Sequence, residues 1–211
     1  MSFPIFGYFT AASYLIPFVI GLIYYQRLRS SVRVFFFYCA VVMIGVFIEV
    51  IVSFFGINNH WNINIFRLFE IFILAVYCLR TTNHSPFHYL IYASVLLFLL
   101  IWLFTNFLQD KIETFNAVDA FTAGVIQLVL SGILLFLAVH KVEVSPIKTP
   151  KFWIATGILI YNSGTVVVLA LSNTLLEQGI ELFNIAWHIN WTLCIVSNLM
   201  YSYSFLLRRY E

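Results

Sequence analysis

Charge is what this 211-residue chain has least of: Asp, Glu, Lys and Arg make up 9% of it, against roughly 25% in a soluble domain. That scarcity excludes an ordinary water-facing surface. Hydrophobic residues account for 62% and the mean hydropathy is +0.95, so the composition is that of an integral membrane protein. Cysteine is sparse as well. Cys39, Cys78 and Cys194 all fall inside apolar runs, odd in number and without paired spacing, which argues against a disulfide framework or a zinc knuckle. Long polar stretches are missing too, the longest connections being about twelve residues at 140–151 and 173–184. A soluble domain has no room, so nucleotide chemistry, phosphotransfer or DNA contact would belong to another polypeptide. The net charge of +2 is small and reflects a one-sided placement of basic residues rather than a nucleic-acid patch.

What is present is a series of apolar runs. Seven of them, at about 8–26, 34–55, 64–80, 87–107, 117–139, 152–172 and 185–206, approach or exceed the 20 helical residues that cross a hydrocarbon core of about 30 Å. The runs are apolar on every side and too long for the alternating segments of a transmembrane barrel. The expected fold is all-α: a single seven-helix transmembrane domain over 1–211. Nine of the eleven basic residues fall at one side of it: Arg27, Arg29 and Arg33 after the first span, Arg80 after the third, Lys141, Lys148 and Lys151 between the fifth and sixth, and Arg208 and Arg209 last. Lys111 and Arg67 fall toward the other side, with Asp110, Glu113, Asp119, Glu177 and Glu181. The positive-inside rule then puts the N-terminus outside and the C-terminus in the cytoplasm, in the cell inner (plasma) membrane. Residues 1–26 lack a basic segment ahead of the apolar stretch, so the first span reads as a retained anchor, not a cleaved signal.

Proline punctuates the chain sparingly. Pro146 and Pro150 bracket one loop, Pro86 opens the fourth span, and Pro17 alone sits mid-span, where it is expected to kink the first helix. A faint internal echo also exists. Asn64-Ile65 and Asn184-Ile185 each open a span and are each followed six residues after the Asn by a polar side chain, Glu70 and Asn190. A 3+1+3 parallel repeat, as found in some transporters, would explain it.

The polar residues within the spans carry the functional expectation. Gly45, Glu49 and Ser53 recur at i, i+4, i+8, and Gly124, Gln127 and Ser131 at i, i+3, i+7, each marking one helix stripe. Arg67, Glu70, Leu74 and Tyr77 form a third stripe, and Asn184, His188, Asn198 and Ser202 a fourth. Small and polar stripes mark helix–helix contact in a membrane. Counted inward at 1.5 Å per residue, Glu70 lies roughly 9 Å deep and Glu49 level with it. His188 and Asn190 lie in a similar layer, with Gln127 and Asn162 somewhat deeper.

An uncompensated charge at mid-bilayer costs at least about 2.5–3.5 kcal/mol on insertion scales, so such groups are paired or wetted. Arg67 and Glu70, one turn apart, can meet directly. Glu49 then has no obvious second cation: either Arg67 is shared between the two carboxylates, or one carboxylate is protonated, or a ligand, proton or metal from outside neutralises the remaining negative charge. The expected ligand- or proton-binding pocket is therefore Glu49, Arg67, Glu70, His188, Gln127, Asn162 and Asn190. Glu49, Glu70 and His188, with His60, have the chemistry of metal ligands but no two-ligand helical motif.

Seven helices with Arg-x-x-Glu near the outer end of the third superficially resemble a microbial rhodopsin. That family needs a lysine in its last helix to hold retinal, and here no span contains a lysine, so retinal is excluded and no cofactor is expected. The segments FWIATGILIYNSG at 152–164 and HINWTLCIVSNLMYSYSF at 188–205 resemble uncharacterised bacterial seven-helix proteins that are like the membrane input modules of sensor kinases. The resemblance covers the last two spans best and implies a sensor or receptor-like module, without an output domain of its own. The expected partners are the lipid bilayer and a cytoplasmic or membrane signalling protein, with a homo-oligomer permitted and nucleic acid excluded. The alternatives are a small proton- or ion-coupled transporter and, last, an intramembrane enzyme or metal-binding protein.

Overall fold

The computed structural model describes residues 5–82, 85–109, 112, 117–140 and 145–207. Asp110, Lys111, Glu113, Lys141, Arg208 and Arg209, which enter the orientation argument, lie outside them. Regular structure among the described residues is entirely helical. The helices are α1 (Ile5–Ser13), α2 (Leu15–Tyr24), α3 (Ser30–Phe54), α4 (His60–Thr81), α5 (Ser85–Leu103), α6 (Ala117–Val139), α7 (Pro150–Gln178) and α8 (Ile180–Leu206). Since α1 and α2 are two halves of one rod, the bundle has seven rods. Six helices are long and apolar enough to cross a membrane: Ile5–Arg27, Ser30–Phe54, His60–Thr81, Pro86–Leu108, Val118–Val139 and Pro150–Leu171. The seventh, α8, is 27 residues long. Its lower apolarity comes from buried polar residues, Asn190, Ser197, Asn198, Ser202 and Ser204, which face the bundle and not its outside.

The distribution of polarity is that of a membrane protein. Leu96, Leu97, Leu100 and Leu103 of α5 are exposed, while Asn62, Asn64, Asp119, Gln127, Asn162 and Asn198 are buried. Bundle interiors in a bilayer are held by packing of small residues and by interhelical hydrogen bonds, because lipid tails are as apolar as leucine.

The first rod breaks at Tyr14, between α1 and α2. Pro17, the third residue of α2, has no N–H to give to the carbonyl of Ser13 four positions back, so the expected kink falls one turn before the proline. Freed from the helical ladder, this turn is tied elsewhere. The Ser13 hydroxyl donates to the Thr10 carbonyl at 2.6 Å and accepts from Asn198 Nδ2 at 2.8 Å.

The 173–184 segment differs from the loop expected there. Helix α7 runs through Gln178 and α8 begins at Ile180, with only Gly179, at φ +132°, between them. Polar residues such as Glu177, Gln178 and Glu181 read as a connection by hydropathy, but Glu and Gln are good helix formers and extend both helices past the apolar slab. A single glycine in a conformation that side chains rarely adopt makes the reversal.

Packing closes six rods into a ring. The α1–α2 rod packs on α3, α3 on α4, α4 on α6, α6 on α7, α7 on α8, and α8 back on the first rod, while α5 lies outside against α4 and α6. The order is two matched halves around a common centre. Helices α3 and α7 start at residues 30 and 150, α4 and α8 at 60 and 180, the same offset of 120. Each middle helix is also preceded by a short 3-10 turn, Tyr25–Arg27 and Pro146–Lys148. Asn64 and Asn184 share that offset, as do Glu70 and Asn190, although Asn64 is buried and Asn184 exposed.

At the end where the basic residues lie, the bundle is filled by aromatic packing. The Phe35 ring sits 5.4 Å from Tyr77, 5.0 Å from Tyr201 and 6.2 Å from Phe205, with Leu74, Leu130, Leu134 and Ile158 fully buried around it. Glycines allow the close approaches that frame this core. A Cβ on Gly157 of α7 would lie 2.5 Å from Tyr201 Cε1 of α8, and the Ser197 hydroxyl donates to the Gly157 carbonyl at 2.8 Å. Gly157→Ala should therefore push α8 from α7 and cost about 1–3 kcal/mol, read as a lowered Tm in detergent micelles. An unchanged Tm would show that Tyr201 swings aside freely.

Candidate functional site

Toward the opposite end, the six-rod ring encloses a cavity of about 300 Å³. Each rod contributes through a helical stripe: Gly7, Thr10, Ala11 and Tyr14 from the first rod; Val42, Gly45 and Glu49 from α3; Ile63, Phe66, Arg67 and Glu70 from α4. Facing them are Ala120, Ala123, Gly124 and Gln127 from α6, Asn162, Thr165 and Leu169 from α7, and Asn190, Trp191 and Cys194 from α8. The kink at Tyr14 helps to bring that side chain to the wall, where the Cys194 thiol donates to its hydroxyl at 3.0 Å.

Arg67 is where expectation and structure part. Its guanidinium does not pair with Glu70; Nη1 lies 2.8 Å from Asp119 Oδ2 of α6, in the one salt bridge among the described residues. The Asp119 side chain is fully buried and that of Arg67 is 13% exposed. Two physical reasons favour the longer reach. Asp119 sits in the first turn of α6, where the helix dipole stabilises an anion. An acid placed after its base along a helix is also the less favourable order for an in-helix pair. A second contact, Arg67 Nη1 to Asn64 Oδ1 at 3.4 Å, holds the guanidinium from its own helix. Asn64 Nδ2 in turn donates to the Ile112 carbonyl at 2.9 Å, and the Asn64 main-chain carbonyl accepts from Trp102 Nε1 at 3.0 Å. Helix α5 thus braces the pair from outside, just before its π-helical last stretch, Phe104–Gln109.

With Arg67 engaged by Asp119, Glu49 and Glu70 have no ion-pair partner among the described residues. Arg67, Glu49 and Glu70 all line the same cavity. Glu70 Oε2 accepts a hydrogen bond from Gln127 Nε2 at 3.4 Å, and Gln127 Oε1 accepts from Asn162 Nδ2 at 2.8 Å. That relay crosses α4, α6 and α7. Asn190 Nδ2 donates to Thr165 Oγ1 at 3.0 Å, tying α8 to α7. Glu49 makes no hydrogen bond with any described residue.

Of the residues expected to line a pocket, Glu49, Arg67, Glu70, Gln127, Asn162 and Asn190 are in the cavity wall, and His188 is not. His188 is exposed, its Nδ1 2.6 Å from the Asn184 carbonyl and its ring packed near Phe6 and Trp191. At 100° per residue, His188 and Asn190 point about 200° apart, so both could not face inward; the buried stripe of α8 runs through Asn190, Cys194, Ser197 and Tyr201. Nor do Glu49, Glu70 and His188 form a metal site: among the described residues, no three His, Cys, Asp or Glu side chains converge to hold an ion.

Several residues in the wall or tied to it were not anticipated; Asp119 is outside the wall and reaches the site through Arg67. Asp119 could have been found, since Asp119, Ala123 and Gln127 share a stripe at i, i+4, i+8, but its place at the helix edge made it look like an outer-loop acid. Tyr38, Tyr161 and Tyr201 also reach the cavity. Tyrosine in a membrane protein is ordinarily an interface anchor, and that habit hid them. Asn62 joins them, 1% exposed, with Nδ2 donating to the Gly45 carbonyl at 3.0 Å.

No family model matches the chain, and neither a curated protein nor a solved structure matches it. The case for function therefore rests on the geometry. The ion pair is the first part open to test. Arg67→Met should cost about 3–5 kcal/mol by stranding Asp119, and Asp119→Leu a similar amount by stranding Arg67. The double variant should recover much of the loss in equilibrium unfolding from micelles. Strictly additive losses would show that the two side chains are not coupled.

Proposed function

We propose that this chain is a receptor-like sensor module of the cell inner membrane, with seven spans, its N-terminus outside and its C-terminus in the cytoplasm. The observation that carries this reading is the central cavity in which Glu49 and Glu70 face one another's helices without a cation of their own. A packed structural bundle has no use for 300 Å³ of space beside two carboxylates, because empty volume and unpaired charge both destabilise it. A site that is filled and neutralised by something from outside explains both.

Orientation is supported by Arg27, Arg29, Arg33, Arg80, Lys148 and Lys151, all at the bundle end away from the cavity. The aromatic filling around Phe35 closes that same end, so an occupant would enter from outside and leave by the same route. Occupancy changes what Glu49 and Glu70 interact with, and through the Gln127–Asn162 relay it biases how α4, α6 and α7 sit. The basic face would carry that bias to a partner protein.

A second reading has its own support. The matched halves and the shared offset of 120 suit a small transporter of 3+1+3 architecture, coupled to protons or ions. It requires the aromatic filling to open during a cycle.

One experiment separates them. In nanodiscs, spin labels at Arg29→Cys and Lys148→Cys should change separation when the pH is stepped between 5 and 8, and Glu49→Gln with Glu70→Gln should abolish the change. An identical response in the double variant would remove the switching role. Proton or cation flux into proteoliposomes under a pH gradient, absent in the same variant, would decide for the transporter.

A further inference from the structure

We propose that the cavity takes a small primary ammonium with an apolar flank, the charged head held by Glu49 and Glu70 and the flank laid against Leu169, Trp187 and Trp191. This assignment rests on the ligand-cavity reading above and names the class of its occupant.

The first argument is the hydrogen-bond inventory of the wall. Its side-chain amide groups already donate into the protein: Asn62 to the Gly45 carbonyl, Gln127 to Glu70, Asn162 to Gln127 and the Ile158 carbonyl, Asn190 to Thr165, and Asn198 to Ser13. Arg67 donates to Asp119 and Asn64. What is left over is carboxylate charge. Neither oxygen of Glu49 receives a donor, Glu70 uses only Oε2, neither has an ion-pair partner among the described residues, and the buried Asn62 Oδ1 has no hydrogen-bond partner. Two carboxylates with spare lone pairs and no ion pair are matched by a ligand that brings N–H groups. An ammonium brings three of them and the charge as well.

The second argument is the unequal chemistry of the matched halves. By the offset of 120, Glu49 corresponds to Leu169, Arg67 to Trp187 and Glu70 to Asn190, and all six line the cavity. Wall charge comes from α3 and α4, through Glu49, Arg67 and Glu70, and α7 and α8 answer with neutral or aromatic side chains. A symmetric cation such as a bare metal ion uses only one side of such a site. A ligand with a polar head and an apolar flank uses both, and the aromatic faces of the tryptophans and of Tyr161 attract the positive end of its methylenes. A volume of about 300 Å³ is at the lower bound for ligand pockets and fits a ligand of roughly ten non-hydrogen atoms.

The test uses the full chain in nanodiscs, with calorimetric titration of 2-phenylethylammonium against 2-phenylethanol and phenylacetate, which keep the flank and remove or invert the charge. Ethylammonium removes the flank, and sodium and potassium chloride supply inorganic cations. The amine should bind at least about tenfold more tightly than the alcohol and ethylammonium, and phenylacetate should not bind. Glu49→Gln should weaken the amine about ten- to a hundredfold, in line with loss of a charged hydrogen bond, and leave the alcohol unchanged. Because Glu49 has no described hydrogen-bond partner, this variant should fold; if Glu70→Gln does not, Glu49→Gln alone carries the test. Trp187→Ala should weaken 2-phenylethylammonium and spare ethylammonium.

Equal binding of alcohol and amine would overturn the ammonium assignment and leave the cavity reading standing, as would sodium or potassium binding more tightly than any amine. If no probe binds and Glu49→Gln also leaves the pH-driven label separation unchanged, both fall.

Discussion

The buried ion pair between Arg67 and Asp119 is the constraint from which the rest of the site follows. It joins α4 to α6 at 2.8 Å, at one of the two seams where the matched halves meet, and it engages the guanidinium that would otherwise serve the cavity. An ion pair of this kind contributes little net stability when the cost of desolvation is counted, whereas removing one partner is severe. Its value to the fold is specification: α6 must sit where Asp119 meets Arg67. The consequence for chemistry is that Glu49 and Glu70 are left beside open space, and the charge left unpaired in the cavity wall is negative.

Much of this was legible in the chain. Hydropathy gave the all-helical membrane bundle because a 30 Å apolar slab leaves few alternatives. Stripe periodicity gathered Glu49, Arg67, Glu70, Gln127, Asn162 and Asn190, because helices in lipid turn polar side chains toward one another. What was not legible is equally physical. A sequence shows which residues share a helix but not which helix a long side chain reaches, so Arg67 was matched with its neighbour Glu70 and not with Asp119, 52 positions away. His188 was put on a stripe with Asn184, Asn198 and Ser202, but it lies at the edge of that stripe, and the face that α8 buries runs through Asn190, Cys194, Ser197 and Tyr201. The turn at Gly179 was concealed because hydropathy measures the slab and not the helix, which continues well beyond it.

The interior also reverses the soluble pattern. Carboxamides, hydroxyls and thiols connect the rods: Asn198 to Ser13, Cys194 to Tyr14, Asn190 to Thr165, Asn162 to Gln127. Large apolar side chains such as Leu96, Leu100, Phe54 and Phe107 face outward as well as filling the core. In water the same arrangement would aggregate; in a bilayer each interhelical hydrogen bond is worth roughly 0.6 kcal/mol on average. Such a bundle is held by many modest ties and can shift between arrangements without breaking any large one.

Helix α5 lies outside the ring, splinting only the join between α4 and α6, which the buried charges already rivet. The join between the first rod and α8 has no such outer helix among the described residues and is held by Ser13, Tyr14, Cys194 and Asn198 and by Phe6 packed on His188 and Trp191, beside a proline-broken helix. The two seams of the barrel are therefore closed by unlike means, charge under a splint on one flank and neutral contacts across a bent rod on the other.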